Sequence, residues 1–124
     1  MDYTVSIVVR QAPYGTVMPA EAYRTIQALL TFEREVSVLF VEDGVITMVK
    51  DSDPGPIGMH SLGDAFVDLL AMDGVTMAVH AESLNERGLT VDDLVDLPGG
   101  AEYELVTSDK LEDKMSGHKA VICF

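Results

Sequence analysis

The sequence predicts an α/β protein built on a mainly parallel sheet of five strands. Two observations carry this. Runs rich in β-branched residues, such as V-S-I-V-V at Val5–Val9 and V-S-V-L-F-V at Val36–Val41, are apolar almost without interruption. That is the pattern of strands covered on both faces. Between the runs, apolar residues recur at i, i+4, i+7 and i+8, the stripe of an amphipathic helix. Strands alternating with such helices imply crossover connections and therefore parallel neighbours.

Taken in order, the first strand covers Tyr3–Val9. The loop Arg10–Met18 follows, with Pro13, Tyr14, Gly15 and Thr16 at its centre, and Pro19 suits a helix's first turn. Ala22, Ile26, Leu29 and Leu30 then mark one face of a helix. The second strand, Val36–Val41, ends at Glu42-Asp43-Gly44, where the glycine permits a sharp exit into a short helix over Val45–Val49. Asp51–Met59, with two prolines and two glycines, reads as a loop. Leu62, Phe66, Leu69 and Leu70 repeat the helical stripe, and Asp73-Gly74 stops it.

Val75–Val79 is the third strand, followed at once by His80 and a short helical pattern opened by Ala81, Glu82 and Ser83. Thr90 and Asp93 resemble a capping box that starts another helix, closed by Pro98-Gly99-Gly100. Tyr103–Val106 is a short fourth strand, Ser108 can cap a helix running to about Met115, and Ala120–Phe124 is the fifth strand. No linker, repeat or low-complexity segment interrupts residues 1–124, so a single domain is expected.

Composition narrows the function. A formal net charge of −13, from 21 acidic and 8 basic residues, repels phosphate backbones and argues against direct nucleic-acid binding. It suits a basic protein partner instead. One cysteine, Cys123, allows neither an internal disulfide nor a cysteine metal cluster. Three scattered histidines, including His60 and His118, lack ligand spacing, so no metal is expected. The glycine clusters lack a phosphate-loop lysine, so nucleotide binding is not expected and no cofactor is implied. Without a signal-like start or a membrane-length apolar run, a soluble cytoplasmic protein is expected, with no membrane partner.

The candidate site centres on Val75–Leu89. In parallel sheets, ligands and reactive groups gather beyond the carboxyl ends of strands. His80 occupies that address and is the candidate for proton transfer or anion binding. Its alternative role is a strand-end residue hydrogen-bonded to backbone. Glu82 and Ser83 either line the same pocket or cap the following helix. Asp43 either orients His80 across neighbouring strand ends or caps the helix after Gly44. Tyr14, Gly15 and Thr16 shape a pocket wall or a tight turn. Cys123, between Ile122 and Phe124, is expected to be a small buried hydrophobe.

Four segments, in order, resemble the DsrE/DsrF family of sulfur-relay proteins, closest to its DsrF/TusC branch. They are A-P-Y-G-T at Ala12–Thr16, F-V-E-D-G-V at Phe40–Val45, P-x-x-I-G-M-x-S-L at Pro54–Leu62 and S-L-N-E-R-G-L at Ser83–Leu89. The resemblance implies a three-layer α/β/α sandwich with a five-stranded, mostly parallel sheet. It implies a homo- or hetero-oligomer with related DsrE/DsrH-like subunits and a DsrC/TusE-like acceptor. The family's chemistry is transfer of sulfane sulfur as a cysteine persulfide, in tRNA thiolation or dissimilatory sulfur metabolism. Active members of the DsrE/TusD branch carry a cysteine after the third strand, where this chain has His80. Imidazole cannot form a persulfide. The expected role is therefore structural or partner-docking. The alternatives are a binding module for a small molecule or anion, or a carrier that uses Cys123.

Overall fold

A computed structural model describes residues 4–50 and 61–124. The loop expected at Asp51–Met59, most of the Pro54–Leu62 segment, His60 and Tyr3 lie outside the described residues. The five strands are β1 (Thr4–Val9), β2 (Glu35–Phe40), β3 (Val75–His80), β4 (Glu104–Val106) and β5 (Ala120–Cys123). They form one sheet in the order β4-β3-β2-β1-β5, and each of the four pairings is parallel. The α-helices are α1 (Met18–Thr31), α2 (Leu62–Asp68), α3 (Ala81–Glu86) and α4 (Leu111–Met115).

This order dictates the layers. From β1 to β4 the chain steps steadily in one direction, so right-handed crossovers place their helices on one face. Ala22, Ile26 and Leu30 of α1, Phe66 of α2 and Leu84 of α3 all pack there, against Val5, Ile7, Val9, Val36, Val38, Phe40 and Val79. The Phe66 ring meets Phe40 edge-on at 5.4 Å and Tyr23 at 5.9 Å, which pins α1 and α2 to the middle of the sheet. The step from β4 to β5 crosses the whole sheet in the opposite direction, so α4 belongs on the other face. Leu111 and Met115 of α4 there cover Leu39, Ala78 and Val106. Among the described residues, α4 is the one α-helix on that face.

Local differences from the sequence reading have physical causes. The segment after β2 is a 3-10 helix, Glu42–Met48, and α2 gives way to a 3-10 turn at Leu69–Ala71. The capping box at Thr90 and Asp93 forms, but it opens only one 3-10 turn, Val91–Asp93. The backbone beyond is engaged elsewhere. Val95 N–H donates to the Met48 carbonyl at 2.7 Å, Lys50 N–H donates to that of Asp93 at 2.9 Å, and Val49 and Leu94 form an antiparallel bridge. Ser108 does not cap a long helix; it begins a 3-10 turn, Ser108–Lys110, that leads into α4.

Cys123 requires a correction. It is exposed, not buried. The alternation of β5 is apolar, but β5 is an edge strand, and α4 covers the far side of the sheet from it. Val121 and Ile122 are accordingly 46% and 39% exposed. Among the described residues no helix is long and apolar enough to cross a membrane.

Candidate functional site

The strand order assigns the crevice of such a sheet to one place, the ends of β3 and β4. The connection leaving β3 turns to the α1 face, and the one leaving β4 turns to the α4 face, so the chain diverges between two neighbouring strand ends. Such a divergence is where α/β sheets bind ligands. His80, the last residue of β3, stands on one side of it, and Ser108 stands on the other.

His80 is held at both ring nitrogens. Nδ1 lies 2.6 Å from the Ser83 hydroxyl and Nε2 lies 2.7 Å from the Ser108 hydroxyl. Its side chain is only 13% exposed. Ser83, one turn into α3 and buried, also accepts the Glu42 N–H at 2.7 Å. One proton arrangement satisfies every group. With one Ser83 lone pair occupied by Glu42, the Ser83 hydroxyl is free to donate to Nδ1 while Nε2–H donates to Ser108. Glu42 adopts a left-handed φ of 51°, uncommon for a residue with a side chain, and aims its N–H at Ser83.

Glu82 does not cap α3. Its Oε2 accepts the Ser108 N–H at 2.9 Å, and its Oε1, shielded from solvent and without a hydrogen bond, lies 3.6 Å from His80 Nε2. The side chain overall is 43% exposed. The Ser108 N–H holds the Glu82 carboxyl below its usual 4.5, and the Ser108 hydroxyl and nearby His80 act in the same direction. A carboxyl with a lowered pKa favours the folded state above its unfolded value, and that contribution is lost as pH falls through the folded one. The Glu82 carboxyl resonance should therefore titrate below the usual glutamate range. In a Ser108→Pro variant, which lacks the N–H, the midpoint should move back up; an unchanged midpoint would remove the Ser108 contact as its cause.

Asp43 neither caps the 3-10 helix nor reaches His80. It accepts from Arg87 Nε at 3.1 Å and Nη2 at 2.9 Å, while Arg87 Nη1 donates to the Ser83 carbonyl at 3.0 Å. Arg87 thereby ties the turn after β2 to the helix that positions Ser83. Tyr14 is separate from the crevice: its hydroxyl accepts the Leu62 N–H at 2.9 Å, securing the start of α2. The Thr16 hydroxyl accepts the Met18 N–H at 3.2 Å, and Gly15 is exposed, with open space where a β-carbon would stand. These three serve helix starts and a turn.

Cys123 lines a second cleft, of about 220 Å³, with Arg10, Gln11, Met18, Glu42 and Phe124. Arg10 Nε donates to Glu42 Oε2 at 3.3 Å. Glu42 therefore links the two places, its backbone held by Ser83 and its side chain by Arg10. Sequence reasoning found His80, Ser83 and Glu82 but missed Ser108, Glu42, Arg10 and Arg87 as site residues. A carboxyl-end position was the available signal for Glu42 and Arg10. Among the described residues, no group of three or more His, Cys, Asp or Glu side chains could hold a metal ion.

The Ser108–His80 pair has the spacing of a nucleophile and its base. The Ser108 N–H, however, is consumed by Glu82, and an oxyanion would need such a donor free. The geometry is that of an imidazole braced at both ring nitrogens, with a carboxylate beside it.

A model of the DsrE/DsrF-like family matches residues 4–124. The chain is 32% identical over 124 residues to the intracellular sulfur oxidation protein DsrF of Allochromatium vinosum, covering 93% of this chain and 91% of that one. It is 28% identical over 123 residues to a protein TusC homolog of Pseudomonas aeruginosa, covering 98% of each. The crystal structure of the ychN protein from E. coli superposes with a TM-score of 0.80 over the full length of both chains, at 22% identity. That likeness shows the shared fold.

Proposed function

This chain belongs to the DsrE/DsrF-like family, and we propose that it is a DsrF/TusC-like subunit of a cytoplasmic sulfur-relay assembly, with a structural or partner-docking role. Relatives named for sulfur oxidation and as TusC support the relay reading. The single observation that carries the non-carrier role is His80. At the crevice where a sulfur-carrying subunit would present a thiol, this chain presents an imidazole clamped between the Ser83 and Ser108 hydroxyls. A sister subunit related to DsrE or DsrH would supply the persulfide cysteine, and a DsrC/TusE-like protein would receive the sulfur.

One observation favours a second reading. Cys123 is exposed, in a cleft where Arg10 is paired with Glu42, and access is the first thing a reactive thiolate needs. As a carrier, its thiolate would attack the outer sulfur of a donor persulfide. The donor S–S bond would break, the donor would leave as a thiolate, and the new persulfide would remain on Cys123.

Intact-mass spectrometry after incubation with a persulfide donor separates the two, with Cys123→Ser as the paired variant and a known acceptor protein as positive control. No added sulfur on the wild type is the expected result. A gain of one sulfur atom that Cys123→Ser abolishes would overturn the docking role in favour of the carrier.

A further inference from the structure

A cleft of about 550 Å³ lies away from both His80 and Cys123. It lies on the α1 face beside β4, which among the described residues has a strand neighbour on one side only. Leu97 and Leu105 contribute apolar wall, and Leu105 is 55% exposed although it sits mid-strand. The charged residues described around it are Asp92, Asp96 and Glu102 against the single cation Lys50. Three features coincide: an open sheet edge, an apolar trough alongside it and an acidic rim. An uncovered edge strand is a template for another chain, and an exposed leucine beside a cleft marks a contact surface.

We propose that this groove docks an extended segment of a basic partner protein, laid along the free edge of β4, with alternate apolar side chains in the trough and Lys or Arg at its flanks meeting Asp92, Asp96 and Glu102. Backbone pairing at a sheet edge gives affinity, and pockets for alternate side chains give selectivity. A second copy of this chain is the poorer occupant, because two molecules of net charge −13 repel one another. The inference deepens the partner-docking role above and relies on it only for the existence of a partner. A synthetic peptide tests the groove itself, so failure here would leave the persulfide measurement standing.

The probe is an eight-residue peptide of alternating Val and Thr flanked by Lys at both ends, compared with the same peptide flanked by Glu. Binding is read by fluorescence anisotropy, and its place by amide hydrogen exchange along 104–106. The Lys-flanked peptide is expected to bind at least about tenfold tighter and to protect β4. Charge reversal in Asp96→Lys/Glu102→Lys should erase that preference, and Leu105→Asp, at an exposed position, should weaken both peptides without loss of fold. No binding, equal binding of the two peptides, or protection away from β4 would overturn the proposal. So would concentration-dependent dimerisation abolished by Leu105→Asp, which would assign the groove to a second copy.

Discussion

Replacing Gly44 by alanine is expected to destabilise the protein by about 3 kcal/mol, the largest loss from removal of any single glycine among the described residues. A β-carbon there would overlap the Val9 carbonyl oxygen and stand 2.6 Å from the carbonyl carbon and 3.1 Å from the Arg10 nitrogen. All three are backbone atoms, so no side chain can rotate away. The same carbonyl accepts the Val41 N–H at 3.0 Å, the last link between the β1 and β2 ends, and Gly44 N–H itself closes the turn onto Val41 at 2.8 Å. Relieving the overlap must separate these strand ends or shift the turn that aims Glu42 N–H at Ser83. The test is denaturant unfolding with Gly15→Ala as control. Gly15 has open space around it and no left-handed φ, so that variant should be near neutral. An equal midpoint for both would show that the β1–β2 end is far more compliant than its geometry implies.

How much of this was legible in the sequence depends on the range of the interaction. The strands and α1 were readable because burial on both faces, or along one stripe, writes a periodic signal into consecutive residues. The capping box of Thr90 and Asp93 was readable for the same reason, since both partners lie within one turn. The length of that element was not, because Val95 and Lys50 commit their backbones to distant strands of chain. Cys123 was misjudged because an edge strand and a central one share an alternation. Only the strand order, which places β5 at the rim and α4 over the far side, decides exposure. His80 could be located as a strand-end residue, but Ser108 lies 28 residues away and becomes its partner only through the divergence between β3 and β4. Asp43 found Arg87, not His80, across 44 residues, another pairing that no local pattern encodes.

A His80→Cys substitution in a Cys123→Ser background is expected to turn a chain that gains no sulfur into one that gains a single sulfur atom from a persulfide donor. The argument starts from the surroundings of the ring. The end of β3 is rigid, held by parallel pairing to β2 and β4. The Ser83 hydroxyl, which now meets Nδ1 on the near side of the ring, is a donor that a thiolate can use. Cysteine is smaller than histidine, so removing the ring also opens the crevice to a donor. Glu82 acts against the reaction, since its Oε1 lies 3.6 Å from the present Nε2. A carboxylate near the new thiol disfavours the thiolate, and a rise of about one in its pKa sets the scale. The thiolate fraction near neutral pH then falls about tenfold, while each thiolate becomes about threefold more nucleophilic, leaving a net slowing of about threefold. Adding Glu82→Gln should therefore accelerate loading by about that factor, and raising the salt should narrow the difference. Loading is followed by intact mass over time, with peptide mapping to place the sulfur on residue 80. If the cysteine variant stays unmodified while a control acceptor loads fully, the end of β3 is not a sulfur-handling position in this chain, and the imidazole there is not what keeps it from carrying sulfur.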